Sequence, residues 1–89
     1  MCHIQNYFHF HLYWVDKGAN KYLIKFGDNL RKYRVEQSIS QKQLAFETGL
    51  SREYINRIEN GRVNISLTNI MELVTALNIP VNKLLNFTG

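Results

Sequence analysis

The chain is poor in residues that punctuate or cross-link a fold: of 89 residues, one is cysteine, one proline and one tryptophan. Cys2 alone closes no disulfide within the chain, which fits a reducing, cytoplasmic setting. No apolar run reaches the ~18 residues of a transmembrane helix, so no membrane partner is expected. The most apolar stretch, Ile4–Val15, is interrupted by two histidines and preceded by no Lys or Arg, which makes it a poor signal peptide. Chemistry-bearing constellations are missing as well. There is no glycine-rich phosphate loop, no pair of carboxylates at a useful spacing, and no base near Cys2 beyond His3. A single domain of this size buries only about 60 % of the surface of its unfolded chain and leaves little room for a walled catalytic chamber. An enzyme is therefore not expected.

What is present is a globular composition, 45 % hydrophobic and 20 % charged, with a net charge of +4. The charge is uneven. Residues 1–25 set Lys17, Lys21 and Lys25 against Asp16, residues 26–65 hold seven basic and five acidic side chains, and Glu72 balances Lys83 beyond them. A basic balance favours polyanionic partners, yet many small basic proteins bind no nucleic acid. A more specific signal has to decide.

Composition divides the chain near residue 20, into an N-terminal arm (1–20) and a helical domain (21–89). The arm holds His3, His9 and His11, Trp14 and five of the eleven aromatic residues. Phe8, Phe10, Leu12 and Trp14 alternate with Tyr7, His9, His11 and Tyr13, and this period of two predicts a β-strand over residues 7–15. Such a strand needs a partner for its backbone. Cys2, His3, His9 and His11 could each ligate a metal, but a bare His-x-His in an aromatic segment is ordinarily packing or surface. No metal and no cofactor is expected.

From Asn20 onward the apolar residues recur at helical spacing. Leu23, Phe26, Leu30 and Tyr33 share a stripe that predicts a first helix over residues 22–37, in which Gly27 costs about 1 kcal/mol relative to alanine. Ser40-Gln-Lys-Gln43 forms a capping box that opens a second helix over 40–47, with Leu44 and Ala45 inward and Gly49 ending it. Ser51 caps a third, over 51–60, with Ile55 and Ile58 inward and Gly61 at its end. Ser66 opens a fourth, over 66–77, with Leu67, Ile70, Val74 and Leu77 inward. Pro80 leads a last helix over 81–86 that buries Val81, Leu84 and Leu85. The expected fold is all-α, a five-helix bundle with short loops, preceded by the aromatic arm.

Residues 40–61 carry the strongest signal. Helix, glycine-containing turn and helix make a helix-turn-helix when several positions agree: a small Ala45 at the crossing, Gly49 at the turn, and Leu44, Leu50, Ile55 and Ile58 locking the pair. With Ile55 and Ile58 inward, Arg52, Glu53, Asn56, Arg57 and Asn60 stand on the opposite stripe. Long polar side chains there suit the donors and acceptors of a DNA major groove: arginine matches guanine O6/N7, and glutamate accepts from cytosine N4. Elsewhere the same stripe would be a solvated face with an Arg–Glu pair, and Glu53 also stands four residues before Arg57, where it can orient that guanidinium.

The string Leu30-Arg-Lys-Tyr-Arg34, Ser40-Gln41, Leu44-Ala45, Gly49, Ser51, Ile55 and Ile58-Glu59-Asn60-Gly61 resembles the lambda-repressor-like family of Cro/cI-type (XRE) DNA-binding domains, over residues 22–86. The resemblance implies base contacts from Ser51, Arg52, Glu53 and Arg57. It implies phosphate contacts from Gln41, at the start of the second helix where free N–H groups face an anion, and from Asn60, Arg62 and Asn64 in the loop after the third. Lys42 can assist. It further implies a salt bridge between Arg34 and Glu59 that orients the recognition helix. Two positions depart from the pattern: Ser38 stands where many relatives leave the first helix through glycine, so a strained turn is expected, and Ile65 replaces a common proline.

Relatives of this kind read near-palindromic double-stranded DNA as homodimers, with major-groove faces about 34 Å apart. The aromatic strand offers one way to hold two copies, by pairing with its two-fold mate through Phe8, Phe10, Leu12 and Trp14. The expected function is a sequence-specific DNA-binding transcriptional regulator, a repressor or a restriction–modification controller. The alternatives are an antitoxin whose N-terminal arm captures a toxin, and a protein-interaction module with weak DNA affinity.

Overall fold

Hydroxyl side chains start three of the five helices. Ser40 Oγ accepts from the backbone N–H of Gln43 at 3.0 Å, Ser51 Oγ from Tyr54 at 3.0 Å and Ser66 Oγ from Asn69 at 3.2 Å. Each satisfies a donor that the first turn of a helix leaves without a partner. The structure, a computed structural model, describes residues 20–87. In chain order these form α1 (Asn20–Glu36), α2 (Gln41–Thr48), α3 (Arg52–Glu59), α4 (Leu67–Leu77) and α5 (Val81–Leu84). The expected all-helical order is therefore observed. The strand expected over 7–15, its side chains Phe8, Phe10, Leu12 and Trp14, and the metal-capable Cys2 and histidines lie outside the described residues.

The capping box at Ser40 is only half made. The serine accepts as expected, but Gln43 Nε2 donates forward to Glu47 Oε2 at 2.7 Å, a charge-assisted bond one turn on. Gly49 ends α2 at φ 79°, with its N–H on the Ala45 carbonyl at 2.9 Å. Ser38 stands at φ 57°, in the left-handed region that L-residues other than Asn and Asp rarely enter, so the turn out of α1 carries the strain expected of it. Pro80 precedes α5, whose single turn stops at Leu84.

Phe26 and Leu30 of α1, Leu44 and Ala45 of α2, Ile55 and Ile58 of α3, Leu73, Val74 and Leu77 of α4, and Leu84 of α5 build one core. Phe87 closes its lower edge, edge-on to Phe26 with ring centroids 6.2 Å apart. Polar ties reinforce the packing. Gln37 Nε2 donates to the Leu77 carbonyl at 2.7 Å, and Asn69 Nδ2 to Tyr54 Oη at 3.2 Å. Two expected core residues are exposed. Leu67, 69 % exposed, shares the angular position of Val74 but stands about 10 Å along the axis, in the first turn of α4. Leu73, outside the expected stripe, is fully buried. Leu85 is exposed because the helix has already ended, leaving it as a cap.

Gly27 explains itself through α3. A β-carbon there would fall against the carbonyls of Ile58 and Glu59, 2.6 Å from the oxygen of Glu59. A β-carbon at Gly61, which stands at φ 69°, would likewise meet Ile24, 2.7 Å from its Cα. Glycine thus lets α1 run hard against the end of α3, and so places the recognition helix.

Candidate nucleic-acid interface

The interface begins with the corner between α2 and α3. Thr48 is buried there, its hydroxyl donating to the Leu44 carbonyl at 2.8 Å and accepting from the N–H of Leu50 at 3.2 Å. With Gly49 in the left-handed conformation, this hydroxyl sets the angle at which the chain enters α3. Ile55 and Ile58 then face the core, while Arg52, Glu53, Asn56 and Arg57 face outward. Those four, together with Ser51 and Gln41, line one open concavity on the surface. The structure thus brings the four residues expected to contact bases onto one face, with the start of α2 beside them. No ion pair joins Glu53 to Arg57 among the described residues.

Behind this face lies Glu59, a carboxylate almost wholly removed from solvent. Arg34 Nε donates to its Oε2 at 2.6 Å and Arg34 Nη2 to its Oε1 at 3.1 Å, a two-pronged pairing of the kind arginine geometry favours. Arg34 Nη1 donates to the Ile39 carbonyl at 2.8 Å, so the guanidinium also fastens the turn before α2. Arg34 and Glu59, expected as a pair, therefore lie together. Gln41 Nε2 donates to Glu59 Oε1 at 3.0 Å, and Arg31 Nε to the same oxygen at 3.3 Å. Burial alone would raise the pKa of Glu59. The hydrogen bonds from Arg34 and Gln41, the charge of Arg34 and the bond from Arg31 together outweigh it and hold the carboxyl below its ordinary value.

The expected phosphate contacts divide into two groups. Lys42, Arg62 and Asn64 are exposed. Gln41 and Asn60 already have partners: Gln41 keeps one amide hydrogen beyond its bond to Glu59, while Asn60 Nδ2 donates to the Asn56 carbonyl at 2.8 Å and to Asn56 Oδ1 at 3.2 Å. Arg31 has no role in the sequence pattern, and Asn56 has only its place on the outward stripe. Arg31 bridges Glu59 and, through Nη2, Asn60 Oδ1 at 3.3 Å. Its spacing from Arg34, three residues and hence one helical face, is the signal that points to it. Asn56 stands on the outward stripe and proves to be a wall of the concavity and the acceptor for Asn60.

A helix-turn-helix family model matches residues 30–84. The chain is 43 % identical over 71 residues to the control protein C.BamHI of Bacillus amyloliquefaciens, covering 79 % of this chain and 88 % of that protein. It is 42 % identical over 62 residues to the control protein C.SmaI of Serratia marcescens, covering 70 % and 74 %. Among solved structures it resembles the restriction-modification controller protein C.AhdI of Aeromonas hydrophila. That match has a TM-score of 0.69 at 47 % identity, over 70 % of this chain and 94 % of the other.

Proposed function

We propose a function from one premise: the chain belongs to the helix-turn-helix family of DNA-binding transcriptional regulators. It is a sequence-specific reader of double-stranded DNA, a transcriptional controller of the kind for which its restriction–modification relatives are named. It acts in the cytoplasm as a homodimer on a two-fold-symmetric operator. In this reading α3 lies in the major groove, where Ser51, Arg52, Glu53 and Arg57 meet base edges. Gln41 and Lys42 at the start of α2, and Arg62 and Asn64 after α3, meet phosphates on either side, while Asn60, its amide taken up by Arg31 and Asn56, holds those two side chains.

The observation that carries the reading is the concavity itself. Two arginines, a glutamate and two short polar side chains of α3 and its cap share one solvent-facing surface with the N-terminal turn of α2. The groove offers acceptors to the arginines and cytosine N4–H to the glutamate, while the α2 end offers N–H groups to a phosphate. Among the described residues no helix is long and apolar enough to cross a membrane. The antitoxin reading rests on the arm, residues 1–20, of which 1–19 lie outside the described residues, and is not carried further.

Selection of bound sites from random duplexes tests the function. The expected result is one enriched half-site, present twice in inverted orientation with centres about one helical turn apart. A bound pool no different from the input would overturn it.

A further inference from the structure

Arginine can only donate hydrogen bonds, and this imposes a polarity on the side chains beyond it. Arg31 Nη2 donates to Asn60 Oδ1, so Asn60 turns its oxygen toward the guanidinium and its amino group away. That amino group donates to the backbone carbonyl of Asn56 at 2.8 Å and to Asn56 Oδ1 at 3.2 Å. The reverse arrangement of Asn60 would set its N–H groups against those of Arg31 and its oxygen against the two acceptors of Asn56. The polarity therefore passes along the chain of bonds from Arg31 to Asn60 to Asn56. Asn56 ends with its oxygen engaged by Asn60, and its Nδ2 donates to nothing among the described residues. Exposed, it lines the same concavity as Arg52 and Arg57.

We propose that Asn56 is a specificity-determining residue that turns its amino group to the DNA, its polarity set by Arg31 acting through Asn60. The proposal rests on the DNA-reading function stated above. An unconstrained asparagine grips adenine with both ends of its amide, donating to N7 and accepting from N6. With its oxygen turned to Asn60, Asn56 leads with its N–H groups and favours guanine, whose O6 and N7 both accept, or thymine through O4, over cytosine, which presents only a donor. Arg31 and Asn60 are then positioning residues.

The test is site selection from random duplexes with wild type, Asn56→Ala, Asn60→Asp and Arg31→Met, each checked by thermal unfolding for an intact helical fold. Enrichment at a position is a ratio, so a general loss of affinity does not disturb the reading. Wild type should enrich a keto base at one position of each half-site, and Asn56→Ala should lower that enrichment about tenfold at that position alone. Asn60→Asp keeps the acceptor toward Arg31 but sets a second oxygen against Asn56 Oδ1. The Asn56 amide then turns over, and the same position should shift to an amino base, adenine or cytosine. Arg31→Met, which frees Asn60 to turn, should leave that position tolerant of both classes. Cytosine, which presents only a donor in the major groove, at the Asn56-dependent position in wild type would overturn the polarity. So would Asn60→Asp and Arg31→Met leaving the wild-type base in place. Asn56→Ala with every position unchanged would remove the residue from base reading. Wild type enriching no sequence at all is a separate outcome, which would sink the DNA-reading function and this assignment with it.

Discussion

Glu59 gathers donors from α1 and α2 onto the last residue of α3, and its ionised form is what those donors hold. Its pKa is lowered from the ordinary 4.5, so the folded state binds its proton less readily than the unfolded chain does. The stability it contributes is present above that ordinary value and is lost as pH falls through the lower folded value. Thermal midpoints measured from pH 7 down to pH 2 should therefore drop more steeply in wild type than in Glu59→Gln. Parallel curves for the two proteins would contradict this linkage. Glu59→Ala removes one partner of a buried pair and leaves Arg34 uncompensated, so denaturant titration should show a loss of about 3–5 kcal/mol. Alanine in place of Gly27 gains about 1 kcal/mol of helix propensity but drives a methyl into the backbone of α3, where overpacking costs about 1–3 kcal/mol. Backbone does not yield as a flexible side chain does, so Gly27→Ala should lower the unfolding midpoint. A raised midpoint would show that α1 and α3 can separate freely.

Among the elements, α3 and the loop after it are assigned different tasks, and their variants should differ in kind. Arg52→Ala and Arg57→Ala should each weaken binding to the selected site by about 1–3 kcal/mol and relax preference at particular base pairs. Arg62→Ala should weaken all duplexes alike and make the salt dependence shallower by about one unit of slope. Titrations on selected and scrambled duplexes across a salt series separate the two; equal losses for Arg57→Ala on both would reduce it to a phosphate contact. The turn out of α1 gives a test of strain. Ser38→Gly relieves a left-handed serine worth about 1–2 kcal/mol and returns about 0.4–1 kcal/mol as unfolded-chain entropy, so a modest rise in stability is expected. The elements that sequence reveals are those set by short-range chemistry. Ser40, Ser51 and Ser66 cap their helices through bonds three residues long, and Gly49 ends α2 through its own backbone. What depends on a distant segment is not legible in this way. Gly27 reads as a weak point of a helix until α3 is seen against it, and Leu67 is exposed although it shares the stripe of the buried Val74, because periodicity fixes angle, not depth along the axis. The Arg34–Glu59 pair is legible only through resemblance; Arg31, one turn before Arg34 on the same face, joins it by a spacing the sequence does state, whereas Gln41 joins from another helix by a geometry that no spacing states.

At the scale of the molecule, ten buried apolar side chains among the described residues, drawn from all five helices, form one core over residues 26–84. Deleting residues 1–18 should accordingly leave a folded helical domain. If the aromatic arm pairs two copies through Phe8, Phe10, Leu12 and Trp14, as proposed from its alternation, sedimentation should find the truncated chain monomeric, with a much weakened hold on a two-fold site. A truncated chain that remains dimeric at micromolar concentration would move the interface onto the helical domain. Recognition of one DNA sequence by α3 is the claim on which the remainder depends. It is tested most directly by equilibrium binding of wild type and of the Arg52→Ala/Arg57→Ala double variant to the selected site and to a scrambled duplex of equal length, at one fixed salt concentration. Wild type should prefer the selected site by about a thousandfold or more, and the double variant should lose most of that preference while keeping its affinity for scrambled DNA nearly intact. Equal wild-type affinity for the two duplexes, or a double variant that discriminates as well as wild type, would contradict it.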